Sequence, residues 1–255
     1  MPSIAAKILD RLRSRVTATL AFPRDLARFR RLSVAGEAWR RPRLGDLHPC
    51  LRDRTTLTTF DRHYVYHPAW AIRVLRETAP TEHVDISSIL AFAAMVSAIV
   101  PTRFYDYRPA PLVLDGLTCD RADLTALPFA DRSIASLSCM HVIEHIGLGR
   151  YGDPIDPDGD TKALAELARV LAPGGTLLVV VPVGRPRVCF NAHRVYDVES
   201  IVARLPGLRL VSFALIPDPP ARGTPERGII DPADPALARQ QSYGCGCFRF
   251  ERPRA

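Results

Sequence analysis

Between Ser136 and Asp160 the chain reads SLSCMHVIEHIGLGRYGDPIDPDGD, which concentrates groups able to move protons or hold cations. His141, Glu144 and His145 spell H-x-x-E-H. On a helix that spacing puts two imidazoles on one face, as zinc ligands with the glutamate as base. The same three groups can instead take a proton from a hydroxyl or an ammonium acceptor. No third zinc ligand stands out, so the favoured reading holds no metal. Asp153, Asp156, Asp158 and Asp160 do not make an EF-hand, because the glycine falls at the fourth place instead of the sixth. Asp158 or Asp160 is placed to cap the following helix, TKALAELARVL. Gly147, Gly149 and Gly152 imply a tight loop over the site with its backbone exposed.

These residues need a scaffold, and the chain around them alternates short apolar runs with helical patterns. EHVDI, TRFYD, LTCDRADL, SIASLSCM and TLLVVVPVG read as five strands. SSILAFAAMVSAIV reads as a helix stopped by Pro101, and TKALAELARVL as one closed by Pro173-Gly174-Gly175. Strands alternating with helices imply parallel crossovers and an α/β, Rossmann-like, doubly wound sheet. LRLVSFALI and GCGCFRFER add two strands with no room for a helix, which predicts an antiparallel pair at one edge of a seven-stranded, mostly parallel sheet. In such a sheet ligands bind beyond the carboxyl ends of the strands. Asp85, Asp106, Asp123 and His141 fall at or just after four consecutive strand ends, so the fold brings them to one crevice. FNAHRVYD, after the fifth strand, adds Asn191, His193 and Arg194.

Ahead of this body lies an extension over residues 1–58. Residues 1–54 hold thirteen Arg/Lys against five Asp/Glu, while the whole chain carries +7, so residues 59–255 are nearly neutral. Ile4, Ile8, Leu12, Val16 and Leu20 recur every four residues beside Lys7, Arg11 and Arg15. That pattern predicts an amphipathic helix ended by Pro23, followed by a second helix in RDLARFRRLSV. Its expected role is a cover on the domain, with peripheral contact on an anionic membrane as the alternative. No basic face with aromatic or groove-reading elements accompanies it, which argues against a nucleic-acid partner. DRHYVYHPAWAIRVLRE reads as a lead-in helix, and the Pro-rich residues 217–242 as a loop that either covers the site or is plain surface. Six scattered cysteines without a C-x-x-C pair, no secretory pattern and no long apolar run imply free thiols and a cytoplasmic location.

The blocks ADLTALPFADRSIASLSCMHVIEH and LARVLAPGGTLLVVVPVG resemble the class I methyltransferases that use S-adenosyl-L-methionine. HVDISS, FYDYRP, the 136–160 stretch, FNAHRVYD and YGCGCF are similar to a methyltransferase-like family known as a domain of unknown function, over roughly residues 60–251. The resemblance implies a cofactor cleft at Asp85, Ser87, Ser88, Asp106, Asp123 and Leu124. Asp106, 21 residues after Asp85, would grip the ribose diol. Asp123 with Leu124 would clamp adenine, and Ser87 and Ser88 would open a helix whose N–H groups hold the cofactor carboxylate. His141, Glu144, His145 and His193 become candidate catalytic groups, and Asn191, Arg194, Tyr151 and Asp153 candidate substrate contacts. The sequence departs from the superfamily in one place: Asp85-Ile86-Ser87-Ser88-Ile89-Leu90-Ala91 lacks every glycine of the usual loop. The resulting expectation is methyl transfer to a small-molecule or saccharide acceptor. A degenerate binding protein of the same fold is the alternative, and a zinc hydrolase through His141, Glu144 and His145 is the third reading.

Overall fold

Short apolar runs become strands of one seven-stranded sheet, whose order across the sheet is residues 117–121, 102–106, 83–86, 134–140, 171–183, 244–251 and 209–216. The computed structural model describes residues 19–33, 40–51, 53, 58–220 and 227–254. The chain divides into two compact units, residues 1–60 and 61–255. In the first unit a helix covers 19–32 and runs through Pro23, so that proline removes one backbone donor without ending the helix. The expected amphipathic repeat from Ile4 lies almost wholly in residues 1–18, outside the described residues.

The second unit opens with α1 (Arg62–Thr78), whose N-cap Asp61 accepts from the Tyr64 N–H. His67, Trp70, Ala71, Val74 and Leu75 form its buried face at helical spacing. Next come β1 (His83–Ile86), α2 (Leu90–Ser97), β2 (Thr102–Asp106), β3 (Leu117–Arg121) and β4 (Ile134–Met140). α3 (Gly159–Val170) leads into β5 (Leu171–Val183). A small hairpin, β6 (Arg187–Cys189) and β7 (His193–Val195), precedes α4 (Val198–Ala203), β8 (Arg209–Ile216), α5 (Pro235–Arg239) and β9 (Gly244–Glu251). β1 to β5 pair in parallel, while β9 runs antiparallel to both β5 and β8.

β5 carries the core on both faces, as its unbroken apolar run requires. Leu177, Val179 and Val181 pack with Leu164 and Leu167 of α3, whereas Leu178 and Val180 pack with Trp70 and Val74 of α1 and Phe92 of α2. At Gly246 in β9 an added Cβ would come within 2.6 Å of the Val183 side chain and 2.8 Å of the Phe248 ring, so packed side chains already fill that space.

Two local expectations need correction, and one element was unforeseen. Pro173-Gly174-Gly175 does not close a helix: α3 ends at Val170, and β5 begins at Leu171, paired with Ile134 before the register shifts. The β6–β7 hairpin was not expected, because strands of three residues leave no periodicity to read. Residues 143–145 form a single 3₁₀ turn and not the start of a long helix. Among the described residues no helix is long and apolar enough to cross a membrane.

Candidate functional site

A cleft with two adjoining lobes opens beyond the carboxyl ends of β1 to β4. Ser87, Tyr107, Ile146 and Tyr151 border both lobes. The first is walled by Ala122, Asp123, Leu124, Thr125 and Pro154, a largely apolar slot that Asp153 and Asp156 also border. The second holds Asp106, Arg108, His141 and His145.

Asp106 ends β2, and one of its oxygens accepts the Arg108 N–H at 2.7 Å. Asp123 directs one oxygen to the Thr125 N–H and hydroxyl, at 2.8 and 2.7 Å. Each thereby fixes its own turn with one oxygen, and its second oxygen takes no hydrogen bond among the described residues. Leu124 is buried beneath the first lobe. Tyr151 stands at the mouth of both lobes, with the Arg108 guanidinium 4.6 Å and that of Arg150 5.1 Å from its ring centre. Sequence reasoning passed over Arg108 and Tyr107; their place in FYDYRP, directly after a strand-ending aspartate, was the available signal.

The first turn differs from expectation. Asp85 is wholly buried, and both the Ser138 and Ser88 hydroxyls donate to it. Ser88 in turn accepts the Met140 N–H at 3.1 Å. Asp85 and Ser88 are therefore floor beneath the cleft and not its lining, and α2 starts only at Leu90, behind an Ile89 cap. Ser87 does reach the cleft, at a φ of +56°. Its N–H is spent on the Tyr105 carbonyl at 2.7 Å and its hydroxyl on the same oxygen at 3.1 Å.

His141 follows β4 at a φ of +58°. Its Nδ1 lies 2.8 Å from Glu144 Oε1, and His145 Nε2 lies 3.7 Å from the same oxygen. The H-x-x-E-H motif is thus a carboxylate between two imidazoles on a tight turn, and not a helix-borne ligand pair. Burial pushes the Glu144 carboxyl up, but the His141 hydrogen bond and the nearby imidazoles outweigh it and hold the group below its ordinary value. His145 Nδ1 sits 2.6 Å from the Ala192 carbonyl oxygen, which can only accept, and 3.2 Å from Arg150 Nη1, which can only donate; the shorter contact puts the proton on Nδ1 and leaves Nε2 as the free base. Burial is the main cause holding the His145 pKa below its usual 6.5.

Gly147, Gly149 and Gly152 all adopt positive φ, as the spacing implied, and the 146–158 loop they shape walls the first lobe. Asp153 borders that lobe while one of its oxygens accepts the Gly147 N–H at 2.9 Å and the other accepts the Tyr151 N–H at 3.1 Å. Asp158 is the N-cap residue of α3 but makes no side-chain cap bond, and Asp160 accepts from the Tyr196 hydroxyl at 3.0 Å. Arg194 is buried and donates to the Ile146 and Pro157 carbonyls at 2.6 and 3.2 Å, so it braces the loop instead of facing a substrate. Asn191 is exposed on the hairpin, and neither it nor His193 borders the cleft. The His193 ring packs 4.7 Å from Tyr243.

Residues 130–213 match a family described as a Caenorhabditis protein of unknown function, DUF268. No curated protein matches the chain. Among solved structures, a candidate methyltransferase from Bacillus halodurans C-125 is similar with a TM-score of 0.50 at 13% identity, over 73% of this chain and 98% of that one. The N-methyltransferase NodS from Bradyrhizobium japonicum WM9, solved with S-adenosyl-L-homocysteine, gives 0.49 at 15% identity, over 73% and 86%. With its strand order and antiparallel edge, the chain is a class I methyltransferase-fold protein whose middle segment matches a family of unknown function.

Proposed function

We propose that the protein is an S-adenosyl-L-methionine-dependent methyltransferase acting on a small-molecule or saccharide acceptor. The observation that carries this reading is the meeting of Asp106 and Asp123, from the ends of neighbouring parallel strands, on adjoining lobes of one cleft. The residues present suit the cofactor. Asp106 offers an oxygen to a ribose diol, Asp123 offers one to an exocyclic amine, and Ala122, Leu124 and Pro154 give a flat base an apolar slot. Ser87 takes up the left-handed backbone that glycine would otherwise supply, so the turn keeps its shape without glycine.

When bound, the cofactor supplies an electrophilic methyl group. The chain's own residues hold and orient the acceptor, and positioning supplies much of the rate in such a displacement. His145, neutral at pH 7 with Nε2 free, takes the proton from a hydroxyl or ammonium acceptor. Glu144, 3.7 Å from that nitrogen, stabilises the imidazolium that forms. Arg108 in the same lobe favours a hydroxyl-rich or anionic acceptor.

One observation favours a binding protein that has lost the cofactor: the Ser87 N–H is already engaged, and α2 begins three residues later. Calorimetry with S-adenosyl-L-methionine and S-adenosyl-L-homocysteine separates the two. Enzyme function predicts saturable heat with one site per chain; no heat at millimolar ligand contradicts it.

A further inference from the structure

His141 belongs to a second group of side chains, which methyl transfer does not use. Its Nε2 lies 3.4 Å from the Cys245 sulfur, and the ligand atoms of His63, His141 and Cys245 all fall within 4.8 Å of one another. The three come from the first turn of α1, the residue after β4 and the start of β9, so nothing in the linear spacing announces them. Cys245 is buried and free of any disulfide. Glu144 holds Nδ1 of His141, which places the proton there and leaves the Nε2 lone pair toward the sulfur. The His63 ring stacks between the His141 and Tyr243 rings, with centroids 5.1 and 5.2 Å away, so it must turn out of that stack for its nitrogen to share an ion with His141.

Two buried atoms beside this group lack a hydrogen-bond partner among the described residues, although neither belongs to a ligand. Glu144 Oε2 is buried with no hydrogen-bond partner among the described residues. His67, one helical turn after His63 and with its ring 5.1 Å from His141, spends Nδ1 on the His63 carbonyl and leaves Nε2 buried without a partner among them. His141 also keeps a positive φ, a conformation that non-glycine residues hold mainly where function requires it.

We propose that His63, His141 and Cys245 bind one divalent transition-metal ion of the zinc class, with Glu144 as the carboxylate orienting His141. Two imidazoles and a thiolate suit zinc and not magnesium or calcium, which take oxygen ligands. Bonds of about 2.0 Å to nitrogen and about 2.3 Å to sulfur set tetrahedral donors roughly 3.3–3.6 Å apart. The His141–Cys245 pair already meets that spacing. A carboxylate on the far nitrogen of a ligating histidine is the usual outer partner of such sites. Binding replaces the Cys245 S–H bond by a sulfur–metal bond and releases that proton to solvent. Three protein ligands leave a fourth position for water. Unlike the H-x-x-E-H reading, this site takes neither Glu144 nor His145 as a ligand. His141 borders the cofactor cleft and Glu144 serves both readings, but zinc content and S-adenosyl-L-homocysteine binding are measured separately, so either reading can fail alone.

The test uses the full chain, purified without a chelator or a histidine tag, with metal content measured by mass spectrometry. Chelator-stripped protein is then titrated with zinc and with cobalt. The expected result is one zinc per chain and a cobalt form with a thiolate charge-transfer band. Cys245→Ser should abolish that band. His63→Ala should weaken zinc at least tenfold while leaving S-adenosyl-L-homocysteine binding unchanged. Less than half an equivalent of zinc after reconstitution overturns the proposal, as does a cobalt band that survives Cys245→Ser. Should the serine variant fail to fold by circular dichroism, unchanged zinc affinity in His63→Ala overturns it alone.

Discussion

At His145 the tautomer is fixed by a backbone carbonyl, the charge state by burial and the counter-charge by Glu144. Removing it should therefore touch chemistry and spare cofactor binding. His145→Ala is expected to lower kcat about 10²-fold, the scale of general-base catalysis. The acid limb of the rate profile, falling as pH drops through a value below 6.5, should vanish with it. An unchanged profile in a folded variant would remove His145 from the reaction. Asp85 makes a separate prediction about stability. Burial lifts its carboxyl to about 7, against the opposing pull of the Ser138 and Ser88 hydrogen bonds. An acid whose folded pKa is raised stabilises the fold fully below its unfolded value near 3.8, and that gain is lost as pH rises through 7. Asparagine copies the neutral acid but binds no proton. Asp85→Asn should cost little at pH 7.5 and progressively more toward pH 5, and thermal melts across that range would show the gap widen. A gap independent of pH would contradict it. Asp106 and Asp123 were legible in the sequence because strand ends are. That Asp85 and Ser88 turn inward was not, since facing cleft or core is decided by neighbours 50 residues away.

Among the elements, the 146–158 loop depends on backbone contacts that a side chain would break. An added Cβ at Gly147 would come within 2.0 Å of the Asp156 carbonyl oxygen, at a φ of +78°. Gly147→Ala should cost about 2 kcal/mol or more, and open the first lobe enough to weaken adenosyl binding. Arg194 holds the same loop from β7, so Arg194→Met should cost roughly 2–3 kcal/mol in urea denaturation by leaving two carbonyls and Asp160 without their buried partner. If Arg194 contacted substrate instead, the variant would keep its stability and lose only KM. The glycine spacing foretold this loop, but the arginine brace was hidden because its hydrogen bonds go to main-chain carbonyls, which sequence does not mark. The strands were legible from their apolar runs, with ends within a few residues. The 3₁₀ turn at 143–145 was not, because one turn has no period.

Across the whole unit from residue 61 to 255, parallel strands and an antiparallel edge leave a two-lobed cleft at one rim of the sheet, and the order of apolar runs was enough to foretell that rim. What stayed hidden was the meeting of α1, β4 and β9 around His141, since three single residues far apart in sequence carry no pattern. The central claim concerns the rim, and a crystal of the full chain grown with S-adenosyl-L-homocysteine tests it most directly. One molecule is expected across both lobes, its ribose hydroxyls on Asp106, its adenine between Leu124 and the 146–158 loop, and its sulfur facing the His145 lobe. A structure with the ligand absent at saturating concentration, or bound without Asp106, would contradict it.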